Sequence, residues 1–139
     1  MEDRSWSYET TLAAEPVSAP RARAFVCRHL IKHRAAYLVD PVRLVVSELA
    51  TNAIVHGRTS FTVTLSGVDH TVRLAVRQES TVPQVLAQVH RDLGSRASRI
   101  VELVSSDWGG VTDGPTSHTV WASFDLRRHT LTSLPPVQG

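Results

Sequence analysis

The chain has one cysteine, one lysine, few aromatic residues and no long apolar run. A single thiol, Cys27, excludes an internal disulfide and suits a reducing compartment. No stretch approaches the ~18 consecutive apolar residues of a membrane span. The opening "MEDRSWSYET" carries acids where a secretory leader carries an apolar segment, so a cytoplasmic protein without a membrane partner is expected. With Lys32 the only lysine, the base is arginine, scattered over Arg21, Arg23, Arg28, Arg34, Arg43 and onward. A nucleic-acid binder concentrates its charge in a patch. That scatter, with a formal net charge of only +2, argues against direct nucleic-acid binding. Neither an internal repeat nor a low-complexity segment is present. The 139 residues, 42% of them hydrophobic, suit one domain over 1–126 with a flexible tail over 127–139.

Residues 7–14 read as a first strand. Ser18 is placed to cap a helix over Ala19 to about Ala36, whose apolar residues Ala22, Phe25, Val26 and Leu30 recur at helical spacing, with Pro20 in the first turn. Asp40-Pro41 reads as the cap and first residue of a second helix that runs to about Val55 and ends at Gly57. The period then changes to two. Phe61, Val63 and Leu65 share one face of a strand, Val72, Leu74 and Val76 one face of the next, and Gly67 to His70 make the hairpin connection. Residues 79–94, with Pro83 among them, read as a loop, and 95–105 as a helix. "SDWGGVTDG" is a strand and turn, and "HTVWASFDL" is an alternating strand with Val120, Ala122 and Phe124 opposite Trp121 and Ser123. Strand, two helices, two strands, helix, two strands predicts an α+β two-layer sandwich, with helices on one face of a mixed or antiparallel sheet.

The second helix holds the unusual feature. In "SELATNAIVHG", Glu48, Asn52 and His56 are four residues apart and form a polar stripe on an otherwise apolar helix. "VVSELATNAIVHG" resembles the N-box of the GHKL ATPase superfamily, in the form used by bacterial anti-sigma factor serine kinases. Other motifs follow in the family's order over roughly residues 8–126: "APRARAFV" is similar to its first helix, "VRLAVRQES" to its next motif strand, "SRASRIVELVSSDWG" to its glycine motif and helix, and "SHTVWASF" to its closing strand. The resemblance implies a Bergerat-type sandwich. It implies that Glu48 is the catalytic base position, that Asn52 ligates Mg²⁺ between the phosphates of ATP, and that His56, Gln78, Ser95, Arg96, Ala97 and Thr119 stand at nucleotide positions. Mg²⁺ takes oxygen ligands, and an amide oxygen one turn from a carboxylate suits it.

Several of those positions depart from the family. The aspartate that accepts from the adenine amino group is replaced by Gln78, and the neighbouring Glu79 points to the other face of a strand. The Gly-Arg-Gly-Leu motif reads Ser95-Arg96-Ala97-Ser98, with Gly94 one place early, so a Cβ crowds the backbone that cradles phosphate. Gly-Lys-Thr reads Ser117-His118-Thr119. Losing a charged hydrogen bond costs about 1.5–3 kcal/mol, so two or three such losses carry a micromolar affinity toward millimolar. The expectation is a kinase-like regulator without a bound cofactor. It would hold a STAS-domain anti-anti-sigma factor, an alternative sigma factor, or both in alternation, with Arg23 as a partner contact and a homodimer as the family's usual assembly. The alternatives are an active Mg-ATP-dependent serine kinase acting on a STAS protein, and a module for another nucleotide or small ligand. Trp108 and Trp121 are expected to be structural. His29 and His33, near Cys27, are expected to be exposed helix residues and not metal ligands.

Overall fold

The computed structural model describes residues 5–57, 59–79, 98–112 and 116–126. Ser95, Arg96, Ala97, the 80–94 segment and the 127–139 tail lie outside the described residues. The elements run β1 (Trp6–Leu12), α1 (Ser18–Lys32), a 3₁₀ turn (Ala36–Leu38), α2 (Val39–Asn52), a π turn (Ala53–Gly57), β2 (Phe61–Val68), β3 (Thr71–Glu79), α3 (Ser98–Val104), β4 (Asp107–Thr112) and β5 (Ser117–Asp125). The strands form one sheet in the order β1-β2-β3-β5-β4, every pair antiparallel. The fold is α+β, a five-stranded antiparallel sheet with three helices packed against it. No helix among the described residues is long and apolar enough to cross a membrane.

Register decides which residues meet the helices. Leu65 stands opposite Leu74, and Leu74 opposite Ala122. One step along, Val63, Val76 and Val120 form the next row, and Phe61, Gln78 and His118 the row after that. All are buried, as are Val42, Val45, Val46 and Leu49 of α2 and Val26 and Leu30 of α1. Each large side chain so buried contributes about 1.5–3 kcal/mol. The period-two alternation predicted for β2, β3 and β5 is the one observed.

Three helix boundaries differ from the sequence reading. Helix α1 begins at Ser18, so Ser18 is its first residue and not its cap. Its hydroxyl donates to the Ala13 carbonyl (2.6 Å) and ties the end of β1 to the helix start. At the other end α1 stops at Lys32, short of Ala36. Arg34 adopts a left-handed conformation (φ 62°), its N–H donates to Ile31, and the Ala35 N–H donates to Leu30. These two bonds form a Schellman stop, with arginine where glycine is usual and the buried Ala35 beside Leu30. Asp40 does not cap α2, which starts at Val39 straight from the 3₁₀ turn. It lies in the first turn, where its charge complements the helix dipole, and pairs with Arg43 at 3.2 Å on the surface.

His29 and His33 correct another expectation: neither is a freely exposed helix residue. They face β1, where His29 stacks on Tyr8 (3.8 Å between centroids) and His33 stacks on Trp6 (4.2 Å). Tyr8 Oη and His33 Nε2 are hydrogen-bonded at 2.7 Å. The Trp6 indole lies flat over Gly67 of β2, so close that a Cβ there would come within 2.4 Å of the ring. This layered cluster fastens the edge strand β1 to α1. Among the described residues no group of three or more metal-binding side chains is gathered.

Candidate functional site

Glu48 and Asn52 sit one turn apart on α2, both half-buried, because the helix stays regular through Asn52. The chain then widens into the π turn. A π turn takes more residues per revolution than an α-helix, so His56 is carried by a different backbone geometry from the other two members of the stripe. The side chain of His56 lies outside the described residues.

Beneath the junction of α2 and the π turn lies the sheet. Gln78 of β3, 4% exposed, donates its amide nitrogen to the Ala53 carbonyl at 3.2 Å. That orientation follows from chemistry, since a backbone carbonyl only accepts. The bond ties the first residue of the π turn to the sheet at the point where the helix leaves its α geometry. Across from Gln78 on β5 is His118, also buried, whose Nδ1 lies 3.3 Å from the Thr112 hydroxyl of β4. Asn52, Gln78 and His118, with Leu49, Ala53, Val76 and Val120, line a small cavity of about 20 Å³, which has room for one water molecule. The Asn52 Nδ2 is buried and has no hydrogen-bond partner among the described residues.

The structure therefore brings together Asn52 and Gln78, with Glu48 one turn away on the same helix. It adds His118, which the sequence reading passed over in favour of its neighbour. Thr119 does not join them. Its register partners are Arg77 and Val111, on the face of the sheet turned away from the helices. The period-two pattern of "HTVWASF" carried that signal: if Val120 faces the helices, so does His118, and Thr119 cannot.

No family model matches the chain, and no curated protein matches it. The site's chemistry thus rests on its own geometry. Of the α2 stripe, Asn52 lines the small cavity, and Glu48 stands one turn before it on the same helix.

Two further regions bear on function. Arg23 of α1 is half-buried and donates from Nη1 to the Ser47 hydroxyl of α2 at 3.0 Å, which holds its guanidinium at the seam between the two helices. On the other face of the sheet, Arg73 lies over the Trp121 ring at 4.0 Å, and Trp121 packs against Gly109. Trp108 packs against the core from the helix side. Of the titrating groups, His29 and His33 have pKa values held below the usual histidine value. The main cause for both is burial in the aromatic cluster. Arg28, Lys32 and His33 act in the same direction on His29, and Lys32 does so on His33.

Proposed function

We propose that this chain is a protein-binding regulator of the anti-sigma type. In this reading it holds a STAS-domain anti-anti-sigma factor, an alternative sigma factor, or both in alternation, and its kinase activity has been lost. The order of elements and the α2 stripe support the ancestry that the sequence resemblance implies. The observation that carries the loss of activity is Gln78: it stands where the family places the adenine-accepting aspartate, and its buried amide nitrogen is committed to the Ala53 carbonyl. Glu48 and Asn52 then persist as inherited geometry, and Arg23, held by Ser47, is a pre-positioned contact for a partner.

Titration calorimetry of the folded protein with Mg-ATP, beside size-exclusion of mixtures with STAS proteins and sigma factors, tests both halves. The expected result is no heat with Mg-ATP and a stable complex with an unphosphorylated STAS protein or a sigma factor. Micromolar Mg-ATP binding, or phosphate transfer that Glu48→Ala abolishes, would establish the active kinase instead.

A further inference from the structure

From Pro16 to Val39 the chain carries five cations, Arg21, Arg23, Arg28, Lys32 and Arg34, and no carboxylate. Helix α1 occupies most of this stretch. Its inner face, with Ala22, Phe25, Val26 and Leu30, is spent on the core. Among the described residues no element packs on its outer face. Val17, Ala24 and Ile31 follow one another at seven-residue intervals, so they fall on one line along the helix, and all three are exposed, Ile31 by 59%. Arg21 and Arg28 flank that line, one turn after Val17 and Ala24 respectively, and both are exposed. Among the described residues Arg21, Arg28 and Arg34 form no ion pair. An isoleucine left in water beside uncompensated guanidinium groups, at heptad spacing, has the form of a surface that receives another helix.

We infer that the outer face of α1 docks an amphipathic helix of a partner protein, one with an apolar stripe flanked by carboxylates. The charge decides the occupant. A second copy of this chain is disfavoured, because α1 has no acid and any pairing with itself sets arginine against arginine. A membrane surface is a poor match, because the line of Val17, Ala24 and Ile31 has no aromatic residue to seat in the headgroup region. Nucleic acid would satisfy the arginines but leave the apolar line uncovered. An acidic helix satisfies both, by the helix-in-groove mode of recognition. The inference rests on the proposed function in taking the occupant to be a protein, and adds to it the face and the chemistry of the contact.

The test uses the full chain and two synthetic peptides of about three heptads, both with leucine on the apolar positions, one flanked by glutamate and the other by lysine. Backbone-amide NMR reads where each one binds. The glutamate peptide is expected to shift the amides of α1 and not those of the outer sheet face, and the lysine peptide to shift neither. Arg21→Glu with Arg28→Glu is expected to weaken binding roughly tenfold or more, while Arg73→Glu on the far face leaves it within about twofold. Ile31→Ser, a neutral surface change that keeps the charge, should also weaken it and serves if the double reversal disturbs folding. Shifts located elsewhere, equal binding of the lysine peptide, or no binding at all overturns the inference. So does a single-stranded oligonucleotide or an anionic vesicle that perturbs α1 where the glutamate peptide does not. No STAS protein or sigma factor enters this titration, so its failure removes the docking face and leaves the proposed function to its own experiment, and the reverse also holds.

Discussion

Replacing Gly67 by alanine tests whether the Trp6 stack fastens β1. Gly67 lies in β2 opposite Trp6, and its position leaves no room for a methyl group: three indole atoms would lie 2.4, 2.5 and 2.6 Å from it. The indole must swing away from β2. On its other side it meets His33 in a parallel stack at 4.2 Å, so the swing breaks that contact or pushes α1 outward. Overpacking of this kind costs about 1–3 kcal/mol, and the lost ring pair adds about 0.5–1.5 kcal/mol. Proteins of this size have an unfolding entropy near 2 cal/mol/K per residue, so the melting temperature should fall by roughly 5–15 °C. The assay is thermal unfolding by circular dichroism, repeated on Trp6→Ala and on the double variant. If the clash is the cause, alanine at position 67 costs almost nothing once the indole is gone, and the two changes are strongly non-additive. A Gly67→Ala protein that melts within a degree of the wild type, or one whose penalty persists in the Trp6→Ala background, would refute the reasoning.

Arg34→Gly should raise stability by roughly 0.5–1 kcal/mol in urea unfolding, because the left-handed conformation at φ 62° strains any residue with a Cβ. Gln78→Leu should lower it by about 1–3 kcal/mol, since the Ala53 carbonyl loses its buried donor. Stability should also fall with acidification. His29 and His33 bind protons less readily folded than unfolded, so below about pH 6.5 the unfolded chain takes up more protons and the folded state loses ground. Melting temperatures recorded from neutral pH downward should show that decline, and the double variant His29→Phe, His33→Phe should flatten it.

The sheet was legible in the sequence because its two faces differ. Phe61-Thr62-Val63-Thr64-Leu65 and Val72-Arg73-Leu74-Ala75-Val76 state their pairing face residue by residue, and the structure places each as the alternation requires. Helix ends were less legible, since they turn on backbone geometry that no periodicity encodes. Arg34 in a glycine's place concealed the end of α1, and Ser18 used its hydroxyl on Ala13 and not on the helix it opens. Within the site, the α2 stripe was readable through Asn52 because a regular helix preserves four-residue spacing. The π turn that carries His56 begins at Ala53, whose carbonyl accepts a tertiary bond from Gln78, 25 residues away in sequence. His29 and His33 looked like surface residues because a short segment cannot reveal that an aromatic strand, Trp6 and Tyr8, lies across them.

The strand order also dictates when the domain can finish folding. β5, the last strand among the described residues, lies inside the sheet between β3 and β4, not at its rim. Until Ser117–Asp125 has been synthesised, β3 presents a bare row of backbone donors and acceptors, with Val72, Leu74 and Val76 beside it. A nascent or truncated chain that stops short of this strand thus holds all three described helices and most of the core residues together with an open, aggregation-prone edge. Quality control in the cell should act most strongly on chains of that length, and a fragment screen for soluble expression should show a sharp gain once β5 is included.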